Sequence, residues 1–364
     1  MTTHLKSRNG SWKLNNKSKN NLIFDDPEAV IYKDKNDKVF LVKNGTTRQV
    51  QKALVPTIQA ELKKGHYACG YFSFEYNNKV ARKKDYKAIF NIYKKASIDN
   101  PQKTNNINTK TKFKKSSDIH FKNGIKKVKK YIEEGDIYQI NLTREFVFDS
   151  PNNPYSLFQD YYKLQPVEYA GFFKFHDHIL ISGSMELFVQ KIGNKITTAP
   201  IKGTAKPGTE QDRNLNKNKK ETAENLMIVD LMRNDLSRIC LPGSVKTQNL
   251  FKKKKYSTVT QLESKISGVL KNNVSNEDIF DNLMPPGSVT GTPKSRAIQI
   301  IKSVLMEEGY MKPSYSSQIL GYGMRHAKKD YDPSSNWDDL NFKHFSWDEG
   351  DEADDDEIGP HTVH

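Results

Sequence analysis

Apolar residues fall in short runs through the first quarter of the chain. Residues 39–42 (Val-Phe-Leu-Val) and 67–74 read as strands, and the stretch from Leu22 to about Tyr93 as strands with one helix among them. Residues 1–21 are polar and are expected to fray. Residues 96–117 are rich in Lys, Asn and Thr, which predicts a loop or linker. The period then lengthens. Phe121, Ile125, Val128 and Ile132 recur at spacings of four, three and four, the inward stripe of a helix, and Gly135 supplies its stop.

Farther along, apolar runs at 169–175 and 178–182 are split by His176-Asp177, and runs at 187–192 and 195–198 by Gly193-Asn194. Both short breaks predict hairpin turns, and the four runs together an antiparallel meander. A long helix is expected over 219–236, with Leu226, Val229 and Met232 on its inner face. Another is expected to start with Thr292 as its cap and Pro293 at its first position, carrying Ile298, Ile301 and Leu305 inward. No internal repeat is visible. Residues 348–357 are acidic and poor in apolar side chains, which predicts disorder.

The chain has 364 residues, 35% of them hydrophobic, enough for one large core or two smaller ones. No apolar run reaches the length of a membrane span, and the polar N-terminus lacks the apolar stretch of a secretion signal. Two cysteines without metal spacing, Cys69 and Cys240, suit a reducing, cytoplasmic setting and packed thiols. The net charge of +15 is uneven: residues 323–364 hold 12 acidic and 4 basic side chains, so the body is more basic than the total. Such a body could attract a polyanion. Its lysines are spread through polar runs such as 112–115 and 252–255, however, and no nucleic-acid partner is expected. The balance also suits a small dianionic substrate.

Four segments carry candidate chemistry: residues 135–142 (Gly-Asp-Ile-Tyr-Gln-Ile-Asn-Leu), 200–204 (Pro-Ile-Lys-Gly-Thr), 221–235 and 286–297. Lys202 follows two apolar residues and precedes Gly-Thr, so its amine sits at a strand end. Partial burial there would lower its pKa and make it a usable nucleophile; alone, it reads first as a solvated strand-end lysine. Glu221 and Glu224 are three apart on one helix face. They could hold Mg²⁺ or simply face the helix dipole. Asp230, Arg233 and Asp235 read as a structural charge cluster. Residues 287–294 form a Gly/Ser/Thr-rich turn feeding a helix N-terminus, where free backbone N–H groups favour an anion or merely cap a turn.

Taken in this order, the four segments resemble the chorismate-utilising enzymes, a family that includes anthranilate synthase component I, aminodeoxychorismate synthase component I, isochorismate synthase and salicylate synthase. The resemblance runs from about Cys69 to Tyr322. It implies an α+β fold of two packed antiparallel β-sheets with flanking helices, like anthranilate synthase component I, and a chorismate site between the sheets. On this reading residues 1–115 are the N-terminal portion of the fold with a polar linker, 116–322 the chorismate-binding core, and 323–364 an unmatched segment with an acidic tail. Pro-Ile-Lys-Gly-Thr, with Lys202, resembles the aminodeoxychorismate synthase branch; anthranilate synthases carry Ala there. In that branch the lysine is understood to attack C2 of chorismate and expel the C4 hydroxyl, after which ammonia attacks C4 and expels the lysine. The resemblance makes Glu186 an acid or base at the ring, and Glu224 with Glu221 the Mg²⁺ glutamates. It makes Ser288, Thr290 and Gly291 the substrate loop, with Lys294 in the same motif. It also implies a glutamine amidotransferase partner as ammonia source. Anthranilate synthesis and a non-catalytic remnant are the competing readings.

Three departures matter. Gln261 stands where anthranilate synthases have His, and no tryptophan-sensing segment is visible, so feedback inhibition by tryptophan is not expected. After Tyr322 the family's Ile-Arg-Thr strand, its Ala-Gly-Gly-Gly-Ile-Val stretch and its Glu-rich last helix have no match. The fold is therefore expected to be cut short, with open sheet edges and weak Mg²⁺ binding.

Overall fold

The computed structural model of the chain describes residues 1–6, 8, 12–14, 17–19, 21–77, 86–98, 113–114, 118–143, 147–148, 153–307, 319–324 and 340–345. The predicted acidic tail at 348–357 and most of the predicted linker lie outside them.

Two antiparallel sheets dominate. The larger has twelve strands. Its order is Ile201–Ala205, Thr260–Val269, Lys195–Ala199, Leu187–Ile192, Leu340–Phe345, Ile319–Met324, Tyr67–Phe72, Ala88–Tyr93, Ala29–Lys33, Val39–Lys43 and Thr46–Val50. The twelfth strand, Lys246–Lys255, pairs with Thr260–Val269. The smaller sheet has the order Ile179–Ser184, Tyr169–Lys174, Thr2–Lys6, Asn21–Asp25. Strands from both sides of residue 115 share each sheet.

The sheets pack through an apolar layer. Leu5, Leu22, Phe24, Phe173, Phe175 and Leu180 of the small sheet and its turn meet Cys69, Tyr71, Ile89 and Tyr93 of the large one. Both cysteines are free and buried, and burial pushes the Cys240 thiol up to about 11. On its opposite face the large sheet packs against helices Leu54–Leu62, Lys219–Ile239 and Asn276–Leu283. A separate cluster joins helix Asp118–Glu133, through Val128, to Ala297, Ile300, Ile301 and Val304 of helix Lys294–Glu307. No helix among the described residues is long and apolar enough to cross a membrane.

The two hairpins at 169–184 and 187–199 form as their turn residues predict. They do not form one meander. The first belongs to the small sheet and the second to the large one, and the chain crosses between them at 185–186. Residues 2–6 do not fray: Thr2–Lys6 pairs on both sides, with Tyr169–Lys174 and Asn21–Asp25. Its alternation of buried Thr3 and Leu5 with half-buried neighbours explains its place.

The helix at 118–133 stops before Gly135, whose φ is +81°. The long helix runs Lys219–Ile239 and buries Val229 and Met232, but Leu226 is 44% exposed. Leu226 lies two residues before the buried Ile228, hence about 160° around the helix; the inner face passes through Asn225 instead. In helix Lys294–Glu307 the inward residues are Ala297, Ile300, Ile301 and Val304, with Ile298 half-buried; the Leu305 side chain lies outside the description. Thr292 does not cap this helix. It pairs with Gln139 in a short ribbon, and its buried hydroxyl has no hydrogen-bond partner among the described residues.

The expected open edges beyond Tyr322 are corrected at one point. Leu340–Phe345 pairs with Ile319–Met324 on one side and Leu187–Ile192 on the other. The run Leu-Asn-Phe-Lys alternates apolar and polar residues, as a strand sequence does.

Candidate active site

Lys202 lies in strand Ile201–Ala205, and Glu221 and Glu224 lie in the first turns of helix Lys219–Ile239. Asn225 fastens the two elements together. This Asn is 1% exposed. Its Nδ2 donates to the carbonyls of Lys202 (3.1 Å) and Leu262 (2.9 Å), and its Oδ1 accepts from Ser264 Oγ (2.6 Å). The amide thus spends both ends on the sheet. Beside it the Glu221 Oε2 accepts from the Thr204 backbone N–H at 3.2 Å. Gly203, between Lys202 and Thr204, has φ +89°, and a Cβ there would meet Leu262 Cδ1 at 3.1 Å and the Glu221 Cβ at 3.3 Å.

A two-stranded ribbon covers this corner. Gln139–Ile140 pairs with Gly291–Thr292. Further backbone bonds run from Tyr138 N to Thr292 O and from Asn141 N to Thr290 O, both 2.8 Å. Gln139 and Asn141, two apart, both turn toward the lysine and glutamate. Lys202 Nζ donates to Asn141 Oδ1 at 3.0 Å and stands 3.9 Å from Glu224 Oε1. Gln139 Nε2 reaches Glu224 Oε1 at 3.5 Å. Asn141 Nδ2 donates to the Ser288 carbonyl at 3.1 Å.

The expected substrate loop therefore meets Lys202 and Glu224 through Asn141. Its side chains have separate jobs. Thr290 Oγ1 donates within its own turn, to the carbonyls of Pro286 and Gly287. Ser288 Oγ is buried and has no partner among the described residues. Gly291 has φ +150°, and a Cβ on it would lie 2.2 Å from the Gln139 carbonyl oxygen. Lys294 points elsewhere: its ammonium donates to Asp235 Oδ2 at 2.9 Å and to the Leu283 carbonyl at 3.2 Å. Burial pushes the Lys294 amine down and the Asp235 carboxyl up, each opposed by the charge of the other. The charge cluster expected at 230–235 divides accordingly. Asp230 pairs with Arg233 at the surface, and Asp235 turns inward to Lys294.

Glu186 sits at the crossing between the two sheets and is buried. Its backbone is held by Ser184, whose Oγ donates to the Glu186 carbonyl (2.9 Å) and accepts from the Glu186 N–H (3.1 Å). Gln261 pairs with Thr204 in the sheet, and its Oε1 is buried without a partner among the described residues. In the basic strand Lys246–Lys255, Lys253 pairs with Asp212, and Lys254 with Glu263 and Glu168. Acidic neighbours offset part of this lysine run.

Glu221 and Glu224 are the acidic oxygen donors at this corner, and no three His, Cys, Asp or Glu side chains converge among the described residues. Gln139 adds a buried amide oxygen without a partner among them. One or two carboxylates with a neutral oxygen suit Mg²⁺, which completes its shell with water and substrate oxygens. The residues fit such an ion.

Three contributors carried no role in the sequence reading: Gln139, Asn141 and Asn225. The first two were legible as polar residues at alternate positions in the apolar run 137–142. Asn225 shows no local signal, because its partners, the carbonyls of Lys202 and Leu262 and the Ser264 hydroxyl, are remote in sequence.

Residues 86–308 match the family model described as chorismate binding enzyme. Aminodeoxychorismate synthase component 1 of Bacillus subtilis is 34% identical over 212 residues, 57% of this chain and 44% of that protein. Anthranilate synthase component 1 of Buchnera aphidicola subsp. Tetraneura caerulescens is 38% identical over 259 residues, 65% of this chain and 48% of that protein. The chain thus spans about half the length of the curated relatives it matches. Among solved structures, anthranilate synthase component I from Streptococcus pneumoniae superposes with a TM-score of 0.69 at 19% identity, covering 89% of this chain and 82% of that one. That likeness establishes the fold, and the match over more than half of its length establishes that the chain belongs to the chorismate binding enzyme family.

Proposed function

We propose that the chain is the chorismate-binding component of an aminodeoxychorismate synthase, converting chorismate and ammonia to 4-amino-4-deoxychorismate and water. A glutamine amidotransferase subunit is the ammonia source, in a reducing, cytoplasmic setting. The observation that carries this reading is the place of Lys202: its amine lies between Asn141 and Glu224, and Asn141 in turn is bonded to the Ser288 carbonyl of the expected substrate loop.

The chemistry proceeds in two displacements. Lys202 Nζ, as the free amine, forms a bond to C2 of the ring, the two conjugated ring double bonds shift toward C4, and the C4–O bond breaks. Glu186, acting as acid, gives the leaving hydroxyl the proton that makes it water. Ammonia then bonds to C4 and gives a proton back to Glu186, both double bonds return, and the C2–Nζ bond breaks with its electron pair going back to Lys202. The lysine is regenerated, and the nitrogen ends on the carbon that lost oxygen. Ser288, Thr290 and Gly291 shape the wall over the ring. Lys294 supports that wall from behind through Asp235 rather than binding substrate. Glu224 and Glu221 would hold Mg²⁺, whose positive charge would neutralise the ring carboxylate.

Anthranilate synthesis is the second reading, favoured by the larger share of the chain that the Buchnera relative matches. One assay separates the two. The purified chain is incubated with chorismate, Mg²⁺ and ammonium at alkaline pH, and products are identified by retention and mass. Aminodeoxychorismate that falls to the detection limit in Lys202→Ala is the expected result. Anthranilate, or no product from folded protein, overturns the assignment.

A further inference from the structure

Lys202 is held at both ends by side-chain amides. Asn225 fixes its carbonyl at 3.1 Å, and Asn141 accepts from its Nζ at 3.0 Å. Between these points run four rotatable bonds, so the direction of the amine depends on what holds its tip. Among the described residues Asn141 Oδ1 is within hydrogen-bond reach, while Glu224 Oε1, at 3.9 Å, is beyond it.

Asn141 is itself over-determined. Its backbone N–H donates to the Thr290 carbonyl at 2.8 Å, and its Nδ2 donates to the Ser288 carbonyl at 3.1 Å. A carbonyl accepts only from the NH₂ end of the amide, so Ser288 fixes which end faces which partner. The oxygen is left toward Lys202. Any shift of the loop 287–292 would therefore move the oxygen that aims the amine.

We propose that Asn141 is a positioning residue for Lys202, orienting Nζ toward the ring and tying that orientation to the substrate loop. The proposal rests on the reading of Lys202 as the attacking group. It predicts an effect on the chemical step and not on substrate affinity, since Asn141 acts through the lysine. Misplacing a reacting atom by about 1 Å costs about 10²-fold in rate.

The test uses the full-length chain with Asn141→Leu, close in size but without either polar group, and Asn141→Asp, which keeps an oxygen facing the amine. Steady-state turnover with ammonium is measured together with the rate of the Lys202–substrate adduct, followed by intact mass without ammonium. Asn141→Leu should lose about 10²-fold in kcat, with KM moving by less than about threefold and adduct formation slowing in parallel with kcat. Asn141→Asp should form the adduct faster than Asn141→Leu. A leucine variant within about twofold of wild-type kcat, one altered only in KM, or an aspartate variant no faster than the leucine one would overturn the proposal. Should Asn141→Leu fail to fold, Asn141→Ala takes its place under the same criteria.

Lys202→Ala separates the two levels of inference. If it is inactive while Asn141→Leu is unimpaired, only the positioning role falls; if it is fully active, the proposed function falls. Acetylation of Lys202 relative to the surface Lys219, mapped by peptide mass, gives a readout independent of turnover. Release of the amine in Asn141→Leu should speed its labelling severalfold, and an unchanged ratio counts against the role.

Discussion

Lys294 and Asp235 show how one residue's fate turns on a partner far away in the chain. The lysine sits in a loop motif that suggests substrate, yet its ammonium is buried against Asp235 and the end of helix Asn276–Leu283. Two charges brought out of water tolerate each other and little else. Lys294→Met or Asp235→Leu alone should cost about 3–5 kcal/mol, because each strands the other's charge, whereas the double variant should come within about 1–2 kcal/mol of wild type or exceed it. Urea unfolding of the four proteins decides this; additive losses would contradict it. Lys202 and Glu224 stood out in the sequence because their motif is dense and ordered. Asn141 drew no role and Lys294 was placed with the substrate loop, since a hydrogen bond across more than fifty residues leaves no local trace.

Among the elements, the ribbon of Gln139–Ile140 and Gly291–Thr292 is the one whose backbone geometry the site depends on. A Cβ at Gly291 would lie 2.2 Å from Gln139 O and 2.8 Å from Ile140 Cα, and neither backbone atom can move without parting the ribbon. Gly291→Ala should therefore lower turnover by more than about tenfold and also lower the melting temperature. Gly193→Ala is the control. Its φ is +57° with nothing within 4 Å of the added carbon, so it should cost about 1–2 kcal/mol of left-handed strain and leave turnover intact. Equal turnover in the two variants would refute a special role for the ribbon. The helix that carries Phe121 to Ile132 and the two hairpins were readable because turn residues and periods act over a few positions. The sheet to which each hairpin belongs was not.

At the scale of the whole molecule, acid stability reports on carboxylates placed by the fold. The Asp212 carboxyl is held below its ordinary value by the Gly208 N–H first, against burial, and then by Lys253. Burial would raise Glu61, but hydrogen bonds from Lys64 and His66 outweigh it and lower it. Both carboxyls titrate lower in the folded than in the unfolded chain, so near pH 4 the folded state holds fewer protons. Their contribution is complete above the unfolded values of about 4 and is lost as the pH falls through the depressed folded ones. The urea midpoint should fall on acidification from about pH 6 to pH 3, with a shallower fall in Asp212→Asn. An unchanged slope would remove Asp212 from the acid response.

The sequence by itself determined the elements and the family. The inward stripe from Phe121 to Ile132, the two hairpins, a long helix over 219–236 and the four motifs in order are local patterns, set by turn residues and by periods of about two and 3.6. Tertiary structure decided the rest. It divided the four hairpin strands between two sheets and drew Thr2–Lys6 into the smaller one. It set Leu340–Phe345 between two strands of the larger, turned Leu226 outward, gave Lys294 to Asp235, and brought Asn141 to Lys202. Each of these depends on which distant backbone or side chain satisfies a buried polar group or covers an apolar face. That choice is made only when the sheets close on each other.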